Sequence, residues 1–157
     1  MSYDGHWLDN MRHGRGVCTL PDGDKFDGEW INDKKCGFGD YYFNNKDHYK
    51  GNWKDDMKDG QGEYRFANGD FYIGEFEQDQ KSGMGKWRSP DGTWYDGNWR
   101  GDMRHGFGEY RFLNGHKYRG SWRGNKMEGY GVYKIDDHSV LVGEWADNNM
   151  IKKYENK

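Results

Sequence analysis

Histidines, cysteines and carboxylates are the residues of this 157-residue chain whose types can hold a metal or move a proton, and their spacing argues against both. His6, His13, His48, His105, His116 and His138 sit at scattered positions, and His13 and His105, which are equivalent, would stand roughly 40 Å apart at ~4.8 Å per strand. That separation excludes a shared metal ion. The recurring Gly-x-Gly pairs, beginning with Gly14-x-Gly16 and Gly37-x-Gly39, lack the Lys-Ser/Thr or third glycine of a nucleotide-binding loop. No carboxylate pair is unique in its setting, whereas an active site requires a singular constellation. The sequence reads as non-enzymatic and calls for no cofactor. One charged row does repeat: Arg12, Lys35, Lys58, Lys81 and Arg104. Spaced about 10 Å apart, it suits anionic lipid headgroups at ~1 kcal/mol per basic residue, offset by acids and amides two residues away.

What must position these residues is a repeat of 23 residues without insertion or deletion. Tyr3-x-Gly5-x-Trp7 returns as Phe26-x-Gly28-x-Trp30, Tyr49-x-Gly51-x-Trp53, Tyr72-x-Gly74-x-Phe76, Tyr95-x-Gly97-x-Trp99, Tyr118-x-Gly120-x-Trp122 and Leu141-x-Gly143-x-Trp145. Such self-similarity marks an array whose units bury their apolar faces only by stacking. Each unit holds two alternating stretches separated by polar turn residues, the pattern of a β-hairpin. The first hairpin is expected to pair Tyr3 to Leu8 with His13 to Leu20 around a four-residue loop, Asp9 to Arg12. That register sets Trp7 opposite Gly14, Gly5 opposite Gly16 and Tyr3 opposite Cys18. A five-residue connection then sets Leu20 opposite Phe26, Cys18 opposite Gly28 and Gly16 opposite Trp30. Glycine is expected wherever a ring must lie over backbone. Lys46 and His138 replace the turn glycine of other connections, so different geometry is expected there.

Alternation puts the rings on one face and polar residues such as Asp27, Glu29, Lys50 and Asn52 on the other, which is expected to be solvated. Composition agrees: 32% hydrophobic residues are too few for an ordinary two-layer core, while 18% aromatics supply large buried contacts. A net charge of −3 gives no general attraction to nucleic acid. The absence of a signal-like start and of long apolar runs reads as cytoplasmic. Cys18 and Cys36 occupy strands that are not direct neighbours and are expected to stay reduced.

On these motifs the chain resembles the MORN-repeat family (membrane occupation and recognition nexus), whose unit carries the same Tyr-x-Gly-x-Trp element, a basic or His residue before Gly-x-Gly, and a turn glycine. Choline-binding repeats share the composition but not this phasing. The resemblance implies an all-β fold, an elongated and twisted single antiparallel sheet of hairpins, roughly 65 Å long at ~4.8 Å per strand. It also implies a non-catalytic role in ciliary or cytoskeletal assemblies, at membranes, or beside an enzyme. Residues 1–145 form the expected array, six full units and the start of a seventh. Residues 146–157 form a cap or tail, since Lys152 and Tyr154 break the glycine pattern.

The function expected is a scaffold or adaptor that takes a protein partner, whether peptide, helix or cytoskeletal component, along an aromatic groove. Tyr49, Trp53, Tyr72, Trp87, Tyr95 and Trp99 form the expected contact set. The alternative is a phosphoinositide-binding membrane tether using the basic row, or the targeting region of a larger enzyme. Any homodimer is expected through the edge of the first strand.

Overall fold

The computed structural model describes residues 1–155; Asn156 and Lys157, the end of the expected cap or tail, lie outside the described residues. Every regular element described is a strand: β1 (Ser2–Leu8), β2 (Met11–Thr19), β3 (Lys25–Ile31), β4 (Lys34–Tyr42), β5 (His48–Lys54), β6 (Met57–Arg65), β7 (Phe71–Glu77), β8 (Gln80–Arg88), β9 (Trp94–Arg100), β10 (Met103–Arg111), β11 (Lys117–Arg123), β12 (Lys126–Lys134), β13 (Val140–Ala146) and β14 (Asn149–Tyr154). The chain divides into two compact units, Met1–Gln80 and the residues from Lys81 onward. In each unit the strands follow chain order, each antiparallel to the next, and the fold is all-β with one hairpin per repeat.

The hairpins close on two residues, not four. Leu8 pairs with Met11, and Asp9 and Asn10 between them take φ of 51° and 61°. Two consecutive positive φ values make a type I′ turn, whose twist matches that of the flanking strands and which Asn and Asp tolerate. Trp7 therefore faces Arg12, correcting the expected Trp7–Gly14 pair. Extra residues on β2, in a bulge containing Gly14 at φ 82°, then restore Gly5 opposite Gly16 and Tyr3 opposite Cys18. The slip amounts to two residues, so no side chain changes face.

Between hairpins, Thr19 pairs with Lys25, and the rest of the expected register moves with it. Cys18 faces Phe26, Gly16 faces Gly28 and Gly14 faces Trp30. Glycine lies opposite glycine in one row across the first unit: Gly5, Gly16, Gly28, Gly39, Gly51, Gly62 and Gly74. Each ring reaches this row from two residues away. A Cβ added to Gly28 would stand 2.7 Å from Phe26 Cζ, and one added to Gly62 would stand 2.6 Å from Tyr49 Cζ. The physical reason for the glycines survives while their partners change.

Lys46 does not alter its turn. It takes the glycine conformation at φ 77°, and its amide donates to the Phe43 carbonyl at 3.0 Å, as Gly23 donates to Leu20. A non-glycine residue in that region carries strain of about 1 kcal/mol. At His138 the connection does change: Asp136 and Ile135 both donate to the Ser139 carbonyl.

The core is one layer of interlocked rings. Tyr49, Tyr72, Tyr95 and Tyr118 are fully buried. Tyr49 meets Trp53 and Phe76 edge to face, each at 5.1 Å between centroids, a geometry worth ~0.5–1.5 kcal/mol beyond burial. Polar atoms within this layer find backbone partners. The Tyr49 hydroxyl donates to the Asn52 carbonyl at 2.9 Å, and the Trp53 indole N–H donates to the Gly39 carbonyl at 3.2 Å.

Candidate protein-binding surface

On this face the odd-numbered strands from β3 to β13 bury their rings, and β4, β6, β8, β10 and β12 leave theirs half-buried; on β1 Tyr3 is half-buried and Trp7 is exposed. In the first unit, Tyr41 and Phe43 follow β4's Gly39, and Tyr64 and Phe66 follow β6's Gly62. Their centroids step along the aromatic face at 4.5 Å (Tyr41–Phe43), 5.7 Å (Phe43–Tyr64) and 4.5 Å (Tyr64–Phe66). The second unit repeats the arrangement, with Tyr110–Phe112 at 4.7 Å and Phe112–Tyr133 at 5.6 Å.

Hydrogen bonds hold this strip in place. The Tyr41 hydroxyl donates to Asp24 Oδ2 at 2.7 Å, and Asp24 Oδ1 accepts from the Asn44 amide at 2.7 Å. Asp47 does the same for Tyr64 and Ala67, both at 2.7 Å. Burial first, and then these carboxylates, push the Tyr41 and Tyr64 hydroxyls above the usual phenol range. In the second unit His116 Nδ1 lies 2.9 Å from the Tyr133 hydroxyl. These bonds tie Tyr41, Tyr64 and Tyr133 to the loop of the preceding connection, so the strip is preorganised.

Of the expected contact rings, Tyr49, Tyr72 and Tyr95 are 0% exposed, Trp53 and Trp99 are buried at 6% and 8%, and Trp87 is half-buried. Five of the six lie in the packing layer, and beyond β1, where Trp7 is exposed, the accessible aromatic surface belongs to the rings of the even strands. Those positions are legible as aromatic in the sequence; their exposure follows from where each ring lies. Tyr49 covers the Gly51–Gly62 pair with Trp53 and Phe76 against it, whereas the Tyr64 hydroxyl reaches out to Asp47 in the preceding connection.

The basic row bends over the same rings. Arg12 lies 4.4 Å from the Trp30 ring, Lys35 5.2 Å from Trp53, Lys58 5.1 Å from Tyr64, Lys81 5.3 Å from Trp99 and Arg104 4.8 Å from Trp122. Arg12 also pairs with Asp33 at 3.1 Å and Lys35 with Asp56 at 3.5 Å. Burial lowers the proton affinity of Lys81 and of Arg104. The side chains thus cap aromatic faces, where cation–π attraction is worth ~0.5–2 kcal/mol, instead of projecting as a free cationic edge.

The opposite face departs from the expected solvated polar surface. Phe38, Ile73, Met84, Phe107 and Tyr130 are exposed there. In the first unit Phe38 and Ile73 flank the Gly51–Gly62 pair around a depression of about 220 Å³. Cys18 is buried and accepts from Arg12 Nη1 at 3.7 Å; both cysteines are free.

Comparison with known families gives a match to the MORN repeat over six consecutive segments, residues 3–25, 26–48, 49–71, 72–94, 95–117 and 118–140. The chain belongs to the MORN-repeat family. Each matched MORN segment starts at the ring two residues before the strand glycine, in phase with the hairpins. A search of curated proteins finds no match. Among solved structures the MORN array is similar to the SAS-4 (dCPAP) TCP domain of Drosophila melanogaster, solved in complex with a proline-rich motif of Ana2 (dSTIL). The TM-score is 0.53 at 16% identity, over 83% of this chain and 73% of that one. The TCP10c domain of Drosophila melanogaster Sas-4 is also similar, with TM-score 0.48 and 14% identity over 83% and 79% of the two chains. Identities this low speak to fold alone.

Proposed function

We propose that this MORN array is a non-catalytic scaffold that binds a protein partner as an extended, proline-rich segment laid across the strands of its aromatic face. The observation that carries the reading is the preorganised ladder of half-buried rings Tyr41, Phe43, Tyr64 and Phe66, stepping at 4.5–5.7 Å. The ladder repeats every two strands, about 9.6 Å, and a polyproline II helix repeats every three residues, about 9.3 Å. One turn of such a peptide therefore matches one MORN unit, and its apolar edge meets equivalent rings in succession. Aromatic-lined surfaces are a general receptor for this preformed, low-entropy conformation. The buried rings Tyr49, Trp53, Tyr72, Tyr95 and Trp99 support the ladder from below, and Trp87 belongs to the contact surface of the second unit. The proline-rich motif bound by the TCP domain of similar fold favours the same ligand class here. A cytoplasmic setting in a cytoskeletal or ciliary assembly is carried by family membership alone.

Isothermal titration of the full chain with a synthetic peptide of repeated Pro-x-x-Pro units tests the proposal. Binding should weaken about tenfold or more in Tyr64→Ala, the size of an aromatic hot spot, and change little in Tyr64→Phe. Equal affinity of the wild type and Tyr64→Ala, both folded by circular dichroism, would overturn it.

A further inference from the structure

On the face opposite the ring ladder, the second unit carries a row in which cations stand directly opposite cations. Arg88 pairs in register with Trp94, Trp94 with Arg111, Arg111 with Lys117, and Lys117 with Lys134. Neighbouring positions in such a row are about 4.8 Å apart, and like charges set directly opposite each other are destabilising. The row holds no acid of its own. Arg88 takes Asp96 from the next row and Lys134 takes Asp137 from the following loop at 3.0 Å. Arg111 donates to the Gly92 carbonyl at 2.8 Å, and Lys117 lies 5.5 Å from the Trp94 ring. Those two partners are neutral, and among the described residues neither side chain forms an ion pair; the acids of the adjacent row, Asp96 and Glu109, face Lys86 and Arg119 in register. Beside the row, Arg119 is exposed above Phe107 at 5.6 Å, and Phe107 and Tyr130 are 53% and 58% exposed. Charge is also divided unevenly along the chain: residues 1–80 hold 17 acidic and 10 basic side chains, and residues 81–157 hold 10 and 14.

We infer that this face of the second unit is a docking surface for an acidic polypeptide segment with interspersed apolar residues. Carboxylates relieve the Arg111–Lys117–Lys134 repulsion, and Phe107 and Tyr130 supply apolar contact that a polar, charge-only surface lacks. A polypeptide fits better than a nucleic acid because exposed Phe107 and Tyr130 beside the cations call for apolar side chains, and the chain's net charge of −3 gives no general attraction to an extended polyanion. The surface is separate from the ring ladder, so a partner can engage each independently.

Fluorescence anisotropy with the full chain and a fluorescein-labelled glutamate-rich peptide containing spaced leucines tests the inference. We expect saturable binding that weakens several-fold as salt rises through the physiological range. The glutamine counterpart of the peptide should not bind. Arg111→Glu with Lys117→Glu should lower affinity about tenfold or more. Arg100→Glu with Arg123→Glu, an equal change in net charge away from the row, should leave it unchanged, as should Tyr64→Ala on the ladder. Lys117→Gln, milder for folding, should give a smaller loss in the same direction. Failure of the peptide to bind, or equal loss in both double variants, would overturn the inference. So would tighter binding of an oligothymidylate than of the peptide, which assigns the face to nucleic acid. Self-association seen by light scattering and abolished by the Arg111/Lys117 reversal would assign it to a second copy.

Discussion

Two successive hairpins of the second unit, β11/β12 and β13/β14, are built from the same 23-residue plan and resolve it differently. In the first, Gly120 faces Gly131, and a Cβ on Gly120 would stand 2.8 Å from the Tyr118 hydroxyl that covers the pair. Trp122 faces Met127 across a bulge that adds two residues to β12. In the second, Leu141 replaces the covering tyrosine, and Lys152 and Tyr154 replace the glycines. There Gly143 faces Lys153, Glu144 faces Lys152 and Trp145 faces Met150, so the bulge adds only one residue. A slip of one residue reverses the faces. Tyr154 consequently lies on the side opposite the ring layer, where its hydroxyl donates to Glu144 and its ring stands 6.3 Å from Tyr130. The glycine pair, and not the turn, decides on which face the following ring lands. The turns themselves are alike, with Gly124–Asn125 and Asp147–Asn148 all at positive φ.

The largest test of this contrast is Gly131→Val against Lys153→Val. The first places a branched side chain into the Tyr118 ring and should cost about 2–3 kcal/mol. The second changes a residue with no ring above it and should stay within about 0.5 kcal/mol. Denaturant unfolding measures both, and equal losses would break the comparison.

Alkaline pH probes the same tyrosine. Burial raises the Tyr118 hydroxyl from 10.0 to about 12, while its hydrogen bond to Ser121 opposes the shift. The native state holds this proton more tightly than the unfolded state. Its stabilisation is therefore complete below pH 10 and is lost as pH rises from 10 toward about 12. Tyr118→Phe should flatten that part of the stability profile; an unchanged slope would show that Tyr118 ionises equally in both states.

Smaller effects come from the indoles. Trp122 donates to Gly108 at 3.1 Å and Trp145 to Gly131 at 3.4 Å. Trp122→Phe should lose about 1 kcal/mol, a typical buried hydrogen bond, and Trp145→Phe distinctly less beyond the common change in ring size. The reverse order in thermal unfolding would mean that distance does not rank these bonds. Smallest of all, Tyr154→Phe should shift stability by only about 0.5 kcal/mol, because its bond to Glu144 is part-buried on the last strand and water can replace it.

The strand faces, the two-strand unit and the ring–glycine relation are legible in the sequence alone. They depend only on period-two alternation and on phasing within 23 residues. The errors of register near Trp7 and Phe26 each amounted to two residues, which is why they left the faces untouched. The candidate site was legible less fully: the aromatic positions were evident, but their exposure was not. Tyr49 and Tyr64 both lie two residues from a strand glycine and both have a paired strand on each side, yet Tyr49 is enclosed over the glycine pair by Trp53 and Phe76 while Tyr64 leans toward Asp47 and stays half-open.

By itself, then, the sequence determined a repeating hairpin array with one aromatic face and membership of a family of such arrays, because identical local patterns demand identical local folds. Tertiary structure alone decided the alignment of glycine with glycine, the half-open ladder, the folding of the basic row onto rings and the opposed cations of the second unit. Each of these depends on register between strands. Register is set jointly by left-handed turn residues, by the residues held in a bulge, and by where a ring finds room over a neighbouring backbone. No single 23-residue unit contains all three.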